Sequence, residues 1–302
     1  DRSNLIQRWT LKSSTSEQQR MDRAERMVRD AIDKHPPFSD HRRNFTVYVK
    51  GSYANETNVR RDSDVDVVVE NHEVYYSDYI DTKTALAATP EPDSVPYQGP
   101  WTPKQWRDEV EAAICNYFGA PEVDTSGAIA MTVAEVEGSR PSADIVPAFF
   151  YRRYDTPDRS AANQGSKVYK KDLSGTIINY PNQQLRNGNA RSVRTSGKYK
   201  EFARALKNGE NALVSNGLME AKPSYLMECL AYNVPDRDLT VGFTHSAWFQ
   251  HALATLFNAL LPAAYSSEEW VEPNELKYLF GPGQKWTVAD AREFAGKLWD
   301  YL

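Results

Sequence analysis

Asp64 and Asp66 stand two residues apart at the head of a valine-rich run, Asp64-Val65-Asp66-Val67-Val68-Val69. Side chains alternate faces along an extended chain, so the two carboxylates project from one face, with α-carbons about 7 Å apart. Val65, Val67 and Val69 point to the other face, toward a core. Two adjacent carboxylates repel each other unless a cation lies between them. Hard oxygen donors of this kind suit Mg²⁺. An isolated Asp-x-Asp is more often a pair of solvated acids beside a turn, so the surroundings carry the weight.

Gly51-Ser52 precedes the pair and closes the apolar run Phe45-Thr46-Val47-Tyr48-Val49. Glycine lets a phosphate approach the backbone, and the serine hydroxyl with the following amides can hold it. A third acid, Asp144, lies in the apolar run Ala143-Asp144-Ile145-Val146. A lone aspartate there is costly to bury without a partner, and a shared metal supplies one.

These residues need rigid elements behind them. Apolar positions at Met21, Ala24, Met27, Val28, Ala31 and Ile32 predict a helix over 16–34, opened by a capping box at Ser14–Glu17 and stopped by Pro36-Pro37. Strands are expected at 45–50 and 64–70, with a short helix and turn over 53–63 between them. Residues 71–102, polar and proline-dotted, read as a surface insertion. Thr102-Pro103 is an N-cap and first-turn pair for a helix over 103–118. Further strands are expected at 128–133 and 143–151. Residues 152–195 give no clear period. Helices then dominate, at about 198–208, 223–232, 245–261 and 287–301. The expected organisation is a catalytic core over 1–195 with a long N-terminal helix, and a helical nucleotide-binding lobe over 196–302.

The chain has 302 residues and a formal net charge of −5. A protein that tracks long nucleic acid usually carries a basic footprint, so a small mobile substrate is favoured. Pairs such as Arg42-Arg43 and Arg60-Arg61 read as solvated surface. No apolar run approaches the roughly 20 residues that cross a bilayer. Two cysteines, Cys115 and Cys229, are too few for a disulfide framework or a zinc cluster and suit a reducing cytoplasm. No Gly-x4-Gly-Lys-Ser/Thr loop is present, which excludes P-loop chemistry.

Taken together, Gly51-Ser52, Asp64-x-Asp66 and Asp144 resemble the signature of polymerase β-like nucleotidyltransferases. More closely, the chain resembles the bacterial cGAS/DncV-like nucleotidyltransferases, or CD-NTases. Asn179-Tyr180-Pro181, Thr195–Lys200, Leu206-Lys207, Pro223–Leu230 and Lys285-Trp286-Thr287 carry that closer likeness. The resemblance implies an α+β fold: a polymerase β-like core, a mixed sheet with flanking helices, followed by a C-terminal helical lobe. It implies that Asp64 and Asp66 hold two Mg²⁺ ions, with Mn²⁺ a substitute, and that Asp144 completes the site that activates the attacking hydroxyl. It further implies that Ser52, beside Gly51, holds the donor triphosphate, that Lys200 and Ser224 also reach it, and that Tyr225 stacks on a base. The zinc thumb through which animal cyclic GMP-AMP synthase binds DNA has no counterpart here, so no DNA activator is expected.

The expected activity is condensation of NTPs into a cyclic di- or trinucleotide with release of pyrophosphate. The resemblance places it in anti-phage signalling, with a separate effector reading the product. The alternatives are a linear, oligoadenylate-like synthase, an antibiotic nucleotidyltransferase and, with all three acids present, least of all a non-catalytic nucleotide sensor.

Overall fold

The computed structural model describes residues 2–12, 15–39, 44–59, 64–79, 89–90, 97–155, 161–242, 244–266 and 269–302. The expected capping residue Ser14, the pairs Arg42-Arg43 and Arg60-Arg61, Ser63 and most of the 80–96 stretch lie outside the described residues. The chain forms two compact units, one of residues 14–53 and 63–181, the other of 1–13, 54–62 and 182–302.

The first unit is built on a mixed sheet. A long helix, α2 (Thr15–Asp33), follows a short α1 (Arg2–Thr10) that belongs to the other unit. Next come β1 (Phe45–Val49), the single-turn α3 (Gly51–Ala54) and β2 (Val65–Tyr79), then the two-residue β3 (Thr89–Pro90). α4 (Pro103–Phe118) starts on the Thr102 side chain, which caps the Gln105 amide while Gln105 reaches back in a full capping box. The strands β4 (Val123–Asp124), β5 (Met131–Val133), β6 (Ala143–Tyr154), β7 (Ala162–Tyr169) and β8 (Thr176–Asn179) complete the sheet. Its path runs β1-β2-β6-β5-β4, with β3 on β2, and β7 and β8 continuing from β6. Among the described residues, β2 and β6 pair in parallel and the other strand pairs are antiparallel.

Both faces of the sheet carry buried apolar side chains. Val65, Val67 and Val69 join Ala24, Val28 and Ile32 of α2 and Trp106, Val110 and Ile114 of α4 in one core, as the alternation requires. Val68, Val146, Ala148 and Val168 form a smaller core on the opposite face, which Asp66 and Asp144 share by alternation.

The second unit is helical: α5 (Pro181–Arg194), α6 (Lys198–Ser215), α7 (Ser224–Asn233), α8 (Asp236–Leu239), α9 (His245–Ala259) and α10 (Val288–Tyr301). Ile6 and Trp9 of α1 pack into its core with Phe202, Leu206, Leu230, Phe249, Phe294 and Leu298. Among the described residues no helix is long and apolar enough to cross a membrane.

Two expectations need correction, and the described part of 152–194, without a clear period in the sequence, proves structured. Residues 71–79 are not part of a surface insertion; they prolong β2 along β6 as far as Tyr79↔Tyr154. A bulge between Asn71 and Tyr75 interrupts the alternation there, which hides the strand in the sequence. Residues 152–194 hold β7, β8 and α5, whose polar composition masks them. The division between units also differs from a single break at 195. It falls at 181/182, and residues 2–12 and 54–59 pack with the helical unit because their apolar and polar contacts are made there.

Candidate active site

The acids are positioned by backbone pairing. In the parallel β2–β6 ladder Asp66 lies directly opposite Asp144, and in the antiparallel β5–β6 ladder Thr132 lies opposite Asp144. Three neighbouring strands therefore set Asp66, Asp144 and Thr132 side by side. The Thr132 hydroxyl donates to Asp144 Oδ1 at 2.5 Å. Asp64 precedes β2 by one residue and is exposed, whereas Asp66 and Asp144 are half-buried.

Burial pushes the Asp144 carboxyl above the ordinary carboxylate range, the Thr132 hydrogen bond opposes this, and the nearby charge of Asp64 adds to the rise. A carboxylate made uncomfortable by burial and by a second carboxylate is one that gains from a cation. The donors are all hard oxygens, and the set fits a divalent ion of the Mg²⁺ kind. Among the described residues no three His, Cys, Asp or Glu side chains are drawn together as a ready-made metal cage.

Gly51 lies against Asp66. Its φ is +73°, and a Cβ built on it would come within 2.4 Å of Asp66 Oδ2. Only glycine permits both the left-handed turn and that approach. The turn leads straight into α3, with Ser52 as its second residue. Lys50 donates its amide to the Asp66 carbonyl at 3.0 Å and so ties the end of β1 to the start of β2.

The remaining expected residues belong to the helical unit. Lys200 is buried in α6, with 7% of its surface exposed, and its Nζ donates to Asn189 Oδ1 at 2.7 Å and to Glu56 Oε2 at 3.3 Å. Ser224 is the first residue of α7 and is exposed. Tyr225 follows it; its hydroxyl donates to Glu272 Oε2 at 3.2 Å and its ring meets Trp286 edge-on, centroids 6.2 Å apart. Burial first, then Cys229, Glu272 and Glu228, raise the Tyr225 hydroxyl well above its ordinary value, so it stays a neutral donor. The structure thus gathers Gly51, Ser52, Asp66 and Asp144 around one stretch of sheet, with Asp64 adjoining, and places Lys200, Ser224 and Tyr225 on α6 and α7.

Sequence reasoning missed Thr132 and Glu56. Thr132 carries no local signal, because its partner is twelve residues away across a strand pair. Glu56 sits in the Gly51–Asp64 connection and is recognisable only once α6 is in place.

A match to the C-terminal helical region and a whole-chain likeness decide the family. Residues 186–302 match the family model of the cGAS/DncV-like nucleotidyltransferase C-terminal helical domain. The cyclic dipyrimidine nucleotide synthase CdnE of Legionella pneumophila is 35% identical over 309 aligned positions that span 100% of this chain and 98% of that protein. The chain belongs to the cGAS/DncV-like nucleotidyltransferase family. A second CD-NTase relative, the cyclic dipyrimidine nucleotide synthase CdnE of Cecembia lonarensis, is 32% identical and covers 97% of this chain and 96% of its own. Among solved CD-NTase structures, the Rhodothermus marinus CdnE c-UMP-AMP synthase with Apcpp and Upnpp superposes with a TM-score of 0.78 at 28% identity, covering 99% of this chain and 95% of that one. The mixed sheet with flanking helices and a C-terminal helical domain is the CD-NTase architecture, and the chain is a nucleotidyltransferase of the cyclic nucleotide synthase type.

Proposed function

We propose that the chain condenses two NTPs, at least one of them a pyrimidine, into a cyclic dinucleotide with release of pyrophosphate. The observation that carries the chemistry is the Asp66–Asp144 pair, set opposite each other by the β2–β6 register. Asp64, Asp66 and Asp144 would hold two Mg²⁺ ions, or Mn²⁺ in their place. Such ions, when bound, neutralise charge on the attacking and leaving oxygens of an in-line displacement. Gly51 lets the phosphate chain approach the backbone, and Ser52 offers its hydroxyl and amide to the triphosphate. Lys200 and Ser224 take triphosphate oxygens, and Tyr225 offers its ring to a base. The pyrimidine preference is supported by two relatives, each at least 32% identical over nearly the full chain and each a cyclic dipyrimidine nucleotide synthase.

The product serves a cytoplasmic signal read by a separate effector, in the antiviral setting of the family. Net charge of −5 gives no basic track, and activity without DNA or RNA is expected.

The test is incubation of purified, nuclease-treated protein with each labelled NTP, singly and in pairs, with Mg²⁺ or Mn²⁺. Alkaline phosphatase treatment and thin-layer chromatography follow. A cyclic product has only internal phosphodiesters and survives the phosphatase. Asp64→Asn and Asp66→Asn should abolish it while the fold survives, because the Val65, Val67 and Val69 face is untouched. A product trimmed by phosphatase would instead identify a linear synthase. Labelled purines alone giving the cyclic product would remove the pyrimidine assignment.

A further inference from the structure

Glu56 is shared by two lysines of its own unit. Its Oε1 accepts from Lys12 and its Oε2 accepts from Lys200 at 3.3 Å. The hydrogen bond from Lys12, and after it the charge of Lys200, hold the Glu56 carboxyl below the usual carboxylate range. The two lysines are unequal. The Lys12 side chain is 59% exposed and can be paired with water, whereas that of Lys200 is 9% exposed. A nearly buried ammonium needs a compensating charge. Asn189 offers Lys200 only a neutral oxygen at 2.7 Å, so Glu56 supplies the carboxylate that faces it. The Glu56 backbone is fixed independently, since Arg204 Nη1 donates to its carbonyl at 2.7 Å and the neighbouring Thr57 hydroxyl donates to the buried Glu228 at 2.6 Å. The side chain can therefore change partners without the segment moving.

We infer that Glu56 is a placeholder for the phosphate charge of the incoming nucleotide, holding Lys200 in place until a triphosphate takes it over. The inference rests on reading Lys200 as a triphosphate contact. When the nucleotide arrives, Glu56 gives up Lys200 and keeps Lys12, so neither charge is stranded. The buried ammonium exchanges one anion for another and never loses its partner. Glu56 then acts as a competitor that sets the affinity for NTP, and it takes no part in the chemical step.

The experiment measures KM for NTP in steady state and Kd for a nonhydrolysable NTP analogue by calorimetry, in the wild type, Glu56→Gln, Lys200→Met and the double variant. Glutamine keeps the shape and removes the competing charge. Glu56→Gln should lower KM and Kd about two- to fivefold, the span of half-exposed ion pairs. The change should fall on KM rather than kcat and shrink as salt is raised. Lys200→Met should raise KM, and adding Glu56→Gln to it should bring no further gain. A KM that is unchanged or raised in Glu56→Gln, with Lys200→Met still weak, overturns the placeholder role alone. A Lys200→Met variant that binds as well as wild type overturns the reading of Lys200, and the placeholder with it. Thermal melting of each variant separates loss of fold from loss of affinity.

Discussion

Gly51 and Thr132 bracket the acids, and each permits a sharp expectation. A methyl group on Gly51 would sit 2.4 Å from Asp66 Oδ2 at a φ of +73°. Gly51→Ala should destabilise the protein by about 1–2 kcal/mol through the left-handed backbone. Its larger effect should be loss of product, because the carboxylate must turn away; a melting curve beside the thin-layer assay checks both. Thr132 works through charge. Burial raises the Asp144 carboxyl, and the Thr132 hydroxyl pulls it back. Thr132→Val removes the donor with little change of shape, so the carboxyl should rise further and the acidic limb of the pH–rate profile should move to higher pH. Thr132→Ser should restore it; superimposable profiles for all three would refute the coupling. The same shift bears on stability. A carboxyl raised in the folded state contributes stability that is present below its unfolded pKa and lost as pH rises through the folded one. In chelator-treated protein, Asp144→Asn should therefore raise Tm at neutral pH and leave it unchanged in acid. Asp64 and Asp66 were legible in the sequence because their relation is local, two residues on one strand face. Thr132, and the contact of Glu56 with Lys200, depend on pairings between distant segments that no local pattern encodes.

The elements that position the site show where periodicity is readable and where it fails. α2 and α4 lie within a residue of their expected bounds, since each carries an apolar stripe and α4 also has the Thr102-Pro103 start. α1 was not anticipated, because its apolar residues are few: Leu5, Ile6 and Trp9. β2 was read at half its length. Its alternation breaks where Asn71-His72-Glu73 enter, although Asn71 is fully buried. There the Asn71 Oδ1 accepts the amides of Glu73 at 2.8 Å and Val74 at 3.3 Å and so holds the bulge. The bulge lets one strand follow β6 on both sides of an irregularity. Asn71→Ala leaves those amides without their acceptor, at a cost of about 1–3 kcal/mol. The denaturant midpoint should fall accordingly with the m-value unchanged. An unaltered midpoint would mean that the bulge is held by the ladder alone.

The chain crosses between its two units four times, at 13/14, 53/54, 62/63 and 181/182. The helical unit is therefore assembled from three separated segments, which a linear reading of composition turns into one C-terminal lobe. The contacts explain why the shorter lobe is incomplete. Ile6 and Trp9 are in its core. Arg204, 6% exposed, donates to the carbonyls of Thr10 at 2.8 Å and Glu56 at 2.7 Å. Glu228, 2% exposed, accepts from Thr57 and from Gln184 of α5. Arg191 of α5 donates to the carbonyls of Tyr232 and Val234 at the end of α7. A fragment of residues 196–302 has none of these partners. It would expose core surface beside α6 and remove the hydrogen bonds that hold Arg204 and Glu228, and hydrogen bonds to a charged group contribute about 1.5–3 kcal/mol each. Against a total stability of roughly 5–15 kcal/mol, that is enough to forfeit specific packing. The fragment should keep helical far-UV dichroism, lose its near-UV signal and bind a hydrophobic dye, as a collapsed but unpacked state does. The intact chain should melt cooperatively under the same conditions. A 196–302 fragment with dispersed NMR signals and a cooperative melt would show that α1, α5 and residues 54–59 are additions to a self-sufficient lobe rather than parts of its core.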